Sequence, residues 1–451
     1  MKRTIFRYAV LATGAFAGCL CGTNAHAQSS DALLDKLVDK GILTVKEATE
    51  LRHEADKDFT KAFSSKSGMP DWVTALKING DMRARYDYFS SQNDAFVERS
   101  RFRYRLRLGV VATIKDNFEV GARLTSSDPA GTFGGDPISG NTTFQDNGAK
   151  KFVYLDLAYG KWTFVNTKPI SESITVGKME NPFTFSDTVF DNDYTPEGAG
   201  YNLTWRANDQ HTLKVNAGIF VLDELGGDSK DPYLYGAQVR WEAAWSKKIA
   251  SSLGVGLLNI VNEQSLTNNA VPNQNRGNTR NAGTGVLANN FNPVIADGSF
   301  TYTFEDGLPA VYTAPFPVKL FGEYVNNVAI SDHEQAVQAG IVFGKAGKKG
   351  LWEVAYKYKY VGAEVWYEEF GDSDFGAYYA GTLANSGFGA GYGAGTNLRG
   401  HVAKLSYSPF DSLTLSATYY RARCINGVAV APPLSSNSDM TRLIVDAMWK
   451  F

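Results

Sequence analysis

The sequence predicts an all-β chain folded as a transmembrane antiparallel β-barrel of about sixteen strands, preceded by a short N-terminal helical segment. Three observations carry this prediction. Segments of about ten residues alternate between apolar and polar side chains, the period of a two-faced strand. The links between them alternate between short and long. The most polar of the alternating faces is built of arginine, a residue that lipid does not tolerate at mid-membrane.

The first element is an export signal over residues 1–27. Lys2, Arg3 and Arg7 form a basic start, an apolar run follows from Tyr8 to about Cys21, and Ala25-His26-Ala27 offers small residues for cleavage, leaving Gln28 first. The apolar run is too short to span a bilayer as a helix. A rival is the near-lipobox Phe16-Ala17-Gly18-Cys19, which has Phe where Leu is usual.

Residues 28–70 read as a periplasmic helical segment. Leu33, Leu34, Leu37 and Val38 form a helical stripe that Gly41 can end; Thr44 and Glu47 have capping-box spacing and open a second helix toward Phe63. Gly68-Met69-Pro70 breaks it. A spacer is the plain reading, and a coiled-coil or peptidoglycan contact the sharper one.

The barrel occupies residues 71–451. Strands are expected near 76–89, 99–112, 117–126, 152–160, 172–180, 199–206, 211–222, 233–244, 249–261, 298–305, 316–326, 335–344, 351–361, 397–408, 412–421 and 440–451. The segment at 298–305 has the weakest pattern, because Asn292-Pro293 and Gly307-Leu308-Pro309 beside it read as loop. Even-numbered strands are followed by links such as "IKDN", "ANDQ", "WSKK" and "PFD", and odd-numbered ones by long Gly/Asn/Asp-rich stretches. Two links on the short side, near 161–171 and 306–315, are longer than that rule expects.

The second strand holds the arginines: Arg99, Arg101, Arg103, Arg105 and Arg107 alternate with Ser100, Phe102, Tyr104, Leu106 and Leu108. Five guanidiniums on one face belong in an aqueous interior, since each would cost about 2–4 kcal/mol against lipid at mid-membrane. If the first strand pairs with the second so that odd residues oppose odd, Arg83 and Arg85 face arginines, and Asp81 and Asp87 compensate only the ends of the patch. The centre is then expected to be positive, unless other strands or loops supply carboxylates. One source is the link "NPFTFSDTVFDNDYTPEG" over 181–198, with Asp187, Asp191, Asp193 and Glu197.

Several function classes fall away. With 45 Lys and Arg against 47 Asp and Glu, the chain lacks the basic excess that nucleic-acid binding needs. His53, His211, His333 and His401 lie too far apart for metal-type spacing, and no cofactor motif is present. Only Cys424 follows the signal, so no intrachain disulfide is expected. A hydrolase would need a nucleophile beside a base; His401 near Ser406 is the one candidate, with no third member. No catalytic residue is therefore assigned. A soluble secreted β-protein is the remaining alternative.

At the C-terminus Leu443, Val445, Ala447, Trp449 and Phe451 alternate with Arg442, Ile444, Asp446, Met448 and Lys450. A last amphipathic strand closing on Phe resembles the assembly signal of bacterial outer-membrane barrels, with Val445, Trp449 and Phe451 its key positions. "LLDKLVDKGILTVKEATEL", "INGDMRARYDYF", "RSRFRYRLRLGV", "GKMENPF", "DYTPEGAGYNLTW", "KLFGEYVNN", "NLRGH" and the final "WKF" together resemble the putative-porin family of Gram-negative outer membranes. The resemblance implies a bacterial outer-membrane channel, commonly a homotrimer, for passive diffusion of small hydrophilic solutes or ions. It implies outer-membrane lipid and the assembly machinery as partners. Phosphate-type anion channels are a near neighbour, so an anion-selective channel is the alternative. By analogy with general porins, the 181–198 link folds inward and sets its acids against a basic wall.

Overall fold

The computed structural model describes residues 70–451 except 93–96, 132–133, 228, 274, 282, 309, 380–390 and 427–438. The expected export signal and helical segment therefore lie outside the described residues, apart from Pro70.

Sixteen long strands follow one another: β1 (Val73–Ser91), β2 (Arg99–Ile114), β3 (Phe118–Ser126), β4 (Val153–Asn166), β5 (Ile170–Lys178), β6 (Glu197–Arg206), β7 (His211–Val221), β8 (Tyr233–Ala244), β9 (Ile249–Val261), β10 (Pro293–Phe304), β11 (Phe316–Asn327), β12 (Gln335–Gly344), β13 (Trp352–Val361), β14 (Leu398–Phe410), β15 (Leu413–Cys424) and β16 (Met440–Lys450). Each pairs antiparallel with its sequence neighbours, and β16 pairs with β1, so the sheet has no open edge. Closure satisfies every ladder, which a wall in lipid requires. The closing seam extends to the last residue, where Phe451 and Gly80 exchange backbone hydrogen bonds of 2.9 and 3.1 Å.

All sixteen strands lie where the alternation puts them. Two boundaries differ. β10 begins at Pro293, inside the stretch read as loop; proline at the first residue of a strand forfeits no ladder bond that its neighbour needs. β4 runs on to Asn166, so the suspiciously long link near 161–171 is the turn 167–169. The link 305–315 is long, and Leu308 bridges back to Tyr312 within it.

The rims differ. The links 115–117, 167–169, 207–210, 245–248 and 411–412 make one rim; 127–152, 179–196, 262–292 and 362–397 crowd the other. Outward positions form an exposed apolar band, including Leu106, Leu108, Val120, Leu253, Val255, Leu320 and Leu415. Seven of the eight tryptophans (Trp72, Trp162, Trp205, Trp241, Trp245, Trp352 and Trp449) lie toward the short-turn ends of their strands. This is the aromatic girdle of a membrane interface. The eighth, Trp366, is buried inside the barrel on a long loop.

Candidate functional site: the barrel lumen

The β1–β2 register sets the arginines in place. Arg83 opposes Arg105 and Arg85 opposes Arg103, while Asp81 opposes Arg107 and Asp87 opposes Arg101. Odd positions of both strands point inward: Arg83, Arg85, Arg103 and Arg105 are buried, while Phe102, Leu106 and Leu108 are exposed on the outside. Arg101 and Arg107 flank the buried four; Arg99 opposes Phe89 at the rim and stays exposed.

The centre of this ladder is not a bare positive patch. Arg85 holds Asp446 of β16 through two hydrogen bonds of 2.8 and 2.9 Å and reaches Asp374 at 3.0 Å. Arg105 donates to Asp81 at 2.9 Å and to Asp193 at 2.6 Å, and Arg107 shares both carboxylates. Arg101 and Arg442 clasp Asp87 from either side. Arg83 and Arg103 differ: each hydrogen-bonds Asn141, at 2.8 and 3.2 Å, and their nearest carboxylates are 3.9 and 3.7 Å away.

The compensating acids come from two loops that fold inward. The first, residues 179–196, crosses the lumen. Asp193 meets the arginine wall at one end; Asp187 meets Lys357 and Lys359 of β13 at the other. Ahead of Asp187 in the loop, Ser186 donates to Glu323 of β11, and Thr184 bonds Gln238 and Arg240 of β8. Two inward glycines, Gly236 and Gly256, leave the notches in which Phe183 and Phe185 sit; a Cβ at either would strike a ring. Glu197 does not join this group. It is the first residue of β6, pairs across the sheet with Lys178 and is exposed.

The second loop, described over 362–379 and 391–397, was not recognised in the sequence as part of the site. Its backbone locks to the first loop: Asp191 N–H donates to the Phe370 carbonyl at 2.6 Å and Asp372 N–H to the Asp187 carbonyl at 2.9 Å. Trp366 donates its indole N–H to the Val189 carbonyl at 3.0 Å. Asp372 reaches Lys359, and Asp374 reaches Arg85 and Arg442. Arg442, Asp446 and the lysines of β13 were legible as inward positions of amphipathic strands; their partners were not.

The loop acids are shifted in opposite directions. Burial alone would raise Asp187, Asp193 and Asp374, but Lys359 and Lys357, Arg105 and Arg83, and Arg85 and Arg442 respectively outweigh it and hold them below the ordinary carboxylate range. Asp191 is pushed well above that range by burial and by the carboxylates of Asp193 and Asp372. Glu369, beside Glu368, is raised by burial to about 8.

Two cavities meet at the Asp193–Arg105–Arg107 junction. One of about 520 Å³ reaches from Arg83 and Arg85 to Lys357, Lys404 and Tyr420. The other, about 330 Å³, lies against β3–β6, beside Asp156, Lys178 and Glu197. His401 takes no part: it faces outward against Tyr356 and Tyr358, whereas Ser406 is buried on the inner side. Among the described residues no cluster of His, Cys, Asp or Glu has metal-holding geometry.

Residues 91–285 match the putative porin family. That stretch holds the arginine strand and the whole lumen-crossing loop. No curated protein matches the chain. Among solved structures, Pseudomonas putida OprB at high pH is similar with a TM-score of 0.50 and 10% identity, covering 83% of this chain and 94% of its own. OprB at low pH gives 0.46 at 8% identity, covering 86% and 96%. A triple mutant of the Rhodopseudomonas blastica porin gives 0.40 at 11%, covering 84% and 100%. The high-pH OprB match shows the barrel fold. The family match supports a general channel of the Gram-negative outer membrane.

Proposed function

We propose that the chain forms a water-filled outer-membrane channel through which small hydrophilic solutes diffuse passively, past a narrow zone lined by arginine on one wall and loop carboxylates on the other. The observation that carries this reading is the lumen-crossing loop, tied at Asp193 to the arginines of β2 and at Asp187 to the lysines of β13. Such a strut leaves passage only at its sides, and both cavities lie there.

The lining of the larger cavity has six basic side chains, Arg83, Arg85, Arg105, Arg107, Lys357 and Lys404, and six acidic ones, Asp187, Asp191, Asp193, Asp372, Asp374 and Asp446. Burial and the carboxylates of Asp193 and Asp372 push Asp191 toward its neutral form, which tips this balance to the positive side. The reading is therefore a transverse field with weak anion preference. Arg83 and Arg103, hydrogen-bonded to Asn141 rather than to a carboxylate, favour an anion-selective channel as the second reading.

The export signal at 1–27, the periplasmic segment at 28–70, assembly through Val445, Trp449 and Phe451, and a homotrimeric state in outer-membrane lipid belong to the same proposal. Val445, Trp449 and Phe451 support it by facing outward, exposed, along the closing seam. Planar-bilayer recording of the purified protein tests the channel: stepwise conductance with a small anion-directed reversal potential under a salt gradient is expected. Protein that inserts and gives no steps would refute it.

A further inference from the structure

Conduction makes no use of a basic patch on the outer wall. On β14 and β15 Leu405, Tyr407, Leu415 and Tyr419 are exposed outward, while Val402, Ser406, Tyr420 and Ala422 are buried inward. The same alternation puts Arg399 and His401 of β14, and Arg421 and Arg423 of β15, on the outer face. The register sets Arg399 directly opposite Arg423, and His401 opposite Arg421. Like charges directly opposite each other destabilise a sheet, and charge on a lipid-facing wall costs least at the membrane interface.

One carboxylate answers this charge. Asp439 bonds Arg421 at 2.6 Å and Arg423 at 2.8 Å. Arg399 is exposed and has no carboxylate within ion-pair reach among the described residues. His401 is held by the Tyr356 hydroxyl at 2.7 Å and lies beside the Tyr358 ring. Three guanidiniums against one carboxylate leave two positive charges unmatched on this wall. At the loop-side end of β1 and β2 the outward residues are instead Tyr86, Tyr88, Phe102 and Tyr104.

The height of the patch indicates its counter-ion. Leu413 to Arg421 spans ~27 Å of strand, or ~21 Å of height at a tilt of ~40°, and an apolar band is ~25 Å tall. Arg421 and His401 thus sit at the top of the band, with Arg399 and Arg423 at its edge, level with lipid headgroups on the long-loop side. A guanidinium fork matches phosphate geometry, and a phosphomonoester carries about −1.5 to −2 charges at neutral pH.

We propose that Arg399, Arg421 and Arg423, with His401 beside them, form a binding site for the phosphate groups of an outer-leaflet glycolipid. This rests on the outer-membrane reading above. The test uses full-length purified protein in non-ionic detergent, with retained lipid measured by native mass spectrometry. Diphosphorylated lipid A, its dephosphorylated form and inorganic phosphate are offered separately. The wild-type protein should retain the diphosphorylated lipid and neither of the others. The triple variant Arg399→Gln, Arg421→Gln, Arg423→Gln should retain at least tenfold less, with unchanged conductance. Asp439→Asn, which removes the counter-charge, should retain more. Should the triple variant not fold, Arg399→Gln alone should lose about threefold. Equal retention by the arginine variants, or equal binding of dephosphorylated lipid or of inorganic phosphate, would overturn the site. Lipid retention without conductance would instead count against the channel.

Discussion

The two sides of the lumen are built on opposite principles. Toward the long-loop ends of β7–β11 the interior is an apolar core: Phe183, Val189 and Phe190 of one loop and Trp366, Tyr367 and Phe370 of the other pack on Phe220, Leu234, Leu258, Ile260, Ile295 and Val325 of the wall. Against β1–β4 the interior is ionic and the cavities open there, while β14–β16 add both ion pairs and a smaller apolar cluster in which Phe375 packs with Leu398, Val402, Tyr420 and Ile444. The packed side holds the two loops still; the ionic side uses that rigidity to present Asp193 and Asp374 to the arginines. A barrel of this width would leave a broad aqueous channel. Packing one side reduces it to the passage beside the other.

The largest expected effect breaks the packed side. Trp366 is almost wholly buried and bridges both loops, so Trp366→Ala should cost about 3–5 kcal/mol of local stability. With the loops loosened, single-channel conductance should rise and become noisy while the barrel still shows heat-modifiable mobility. Unchanged, quiet conductance would mean that the loops are held mainly by the ion pairs.

Much of this contrast was readable in the strands and little of it in the loops. Period-two alternation is a local property, so all sixteen strands follow from it, as does the pairing of odd with odd positions that sets Arg83 and Arg85 against arginines of β2; the particular register adopted, with Arg83 opposite Arg105, does not. Alternation also fails in an informative way. Ile219-Phe220-Val221, Leu257-Leu258 and Val294-Ile295 are apolar on both faces, as in strands buried on two sides, and these are the wall positions that the inward loops cover. The loop partners are another matter. Asp374 meets Arg85 across 289 residues of sequence, and no spacing rule connects them. The dense aromatic and acidic stretch "EVWYEEFGDSDF" was the available signal that this loop is not solvent-facing.

The next effect gives the two sides opposite responses to pH. Glu369, among the packed loops, has its pKa raised to about 8, so between its unfolded value near 4.5 and that point the folded state binds the extra proton. Its contribution is full below the unfolded value and is lost as pH rises, by up to about 1.4 kcal/mol per pH unit. Asp187 and Asp374 are lowered, so their contribution is present above the ordinary carboxylate range and is lost as pH falls through their folded values. Thermal melting should therefore decline at both ends, and Glu369→Gln should flatten the alkaline limb alone. An alkaline limb that survives the substitution would assign it to another group.

A smaller effect touches the ionic side. Asp193→Asn keeps the shape of the strut and removes the carboxylate shared by Arg105 and Arg107. The freed guanidiniums should shift the reversal potential toward anion selectivity, and Arg103→Gln with Arg105→Gln should shift it toward cations. Reversal potentials unmoved by either variant, with conductance intact, would place the ladder off the conduction path.

The smallest effect isolates a single unpaired cation. Lys404 points inward from β14 into the larger cavity, is exposed there, and has no carboxylate within ion-pair reach among the described residues. The buried arginines are fixed in place by their partners, whereas Lys404 meets passing ions through water. At ~7 Å in water a unit charge attracts an ion by about 0.6 kcal/mol, and physiological salt roughly halves that. Lys404→Gln should accordingly change the anion-to-cation permeability ratio by less than about twofold and leave thermal stability unaltered, since no pair is broken. Salt gives the distinguishing signature. The shift should grow as ionic strength falls, because a solvated charge is screened while a buried pair is not. A change as large as that of Asp193→Asn would mean that the narrow zone lies beside Lys404 and not at the arginine wall.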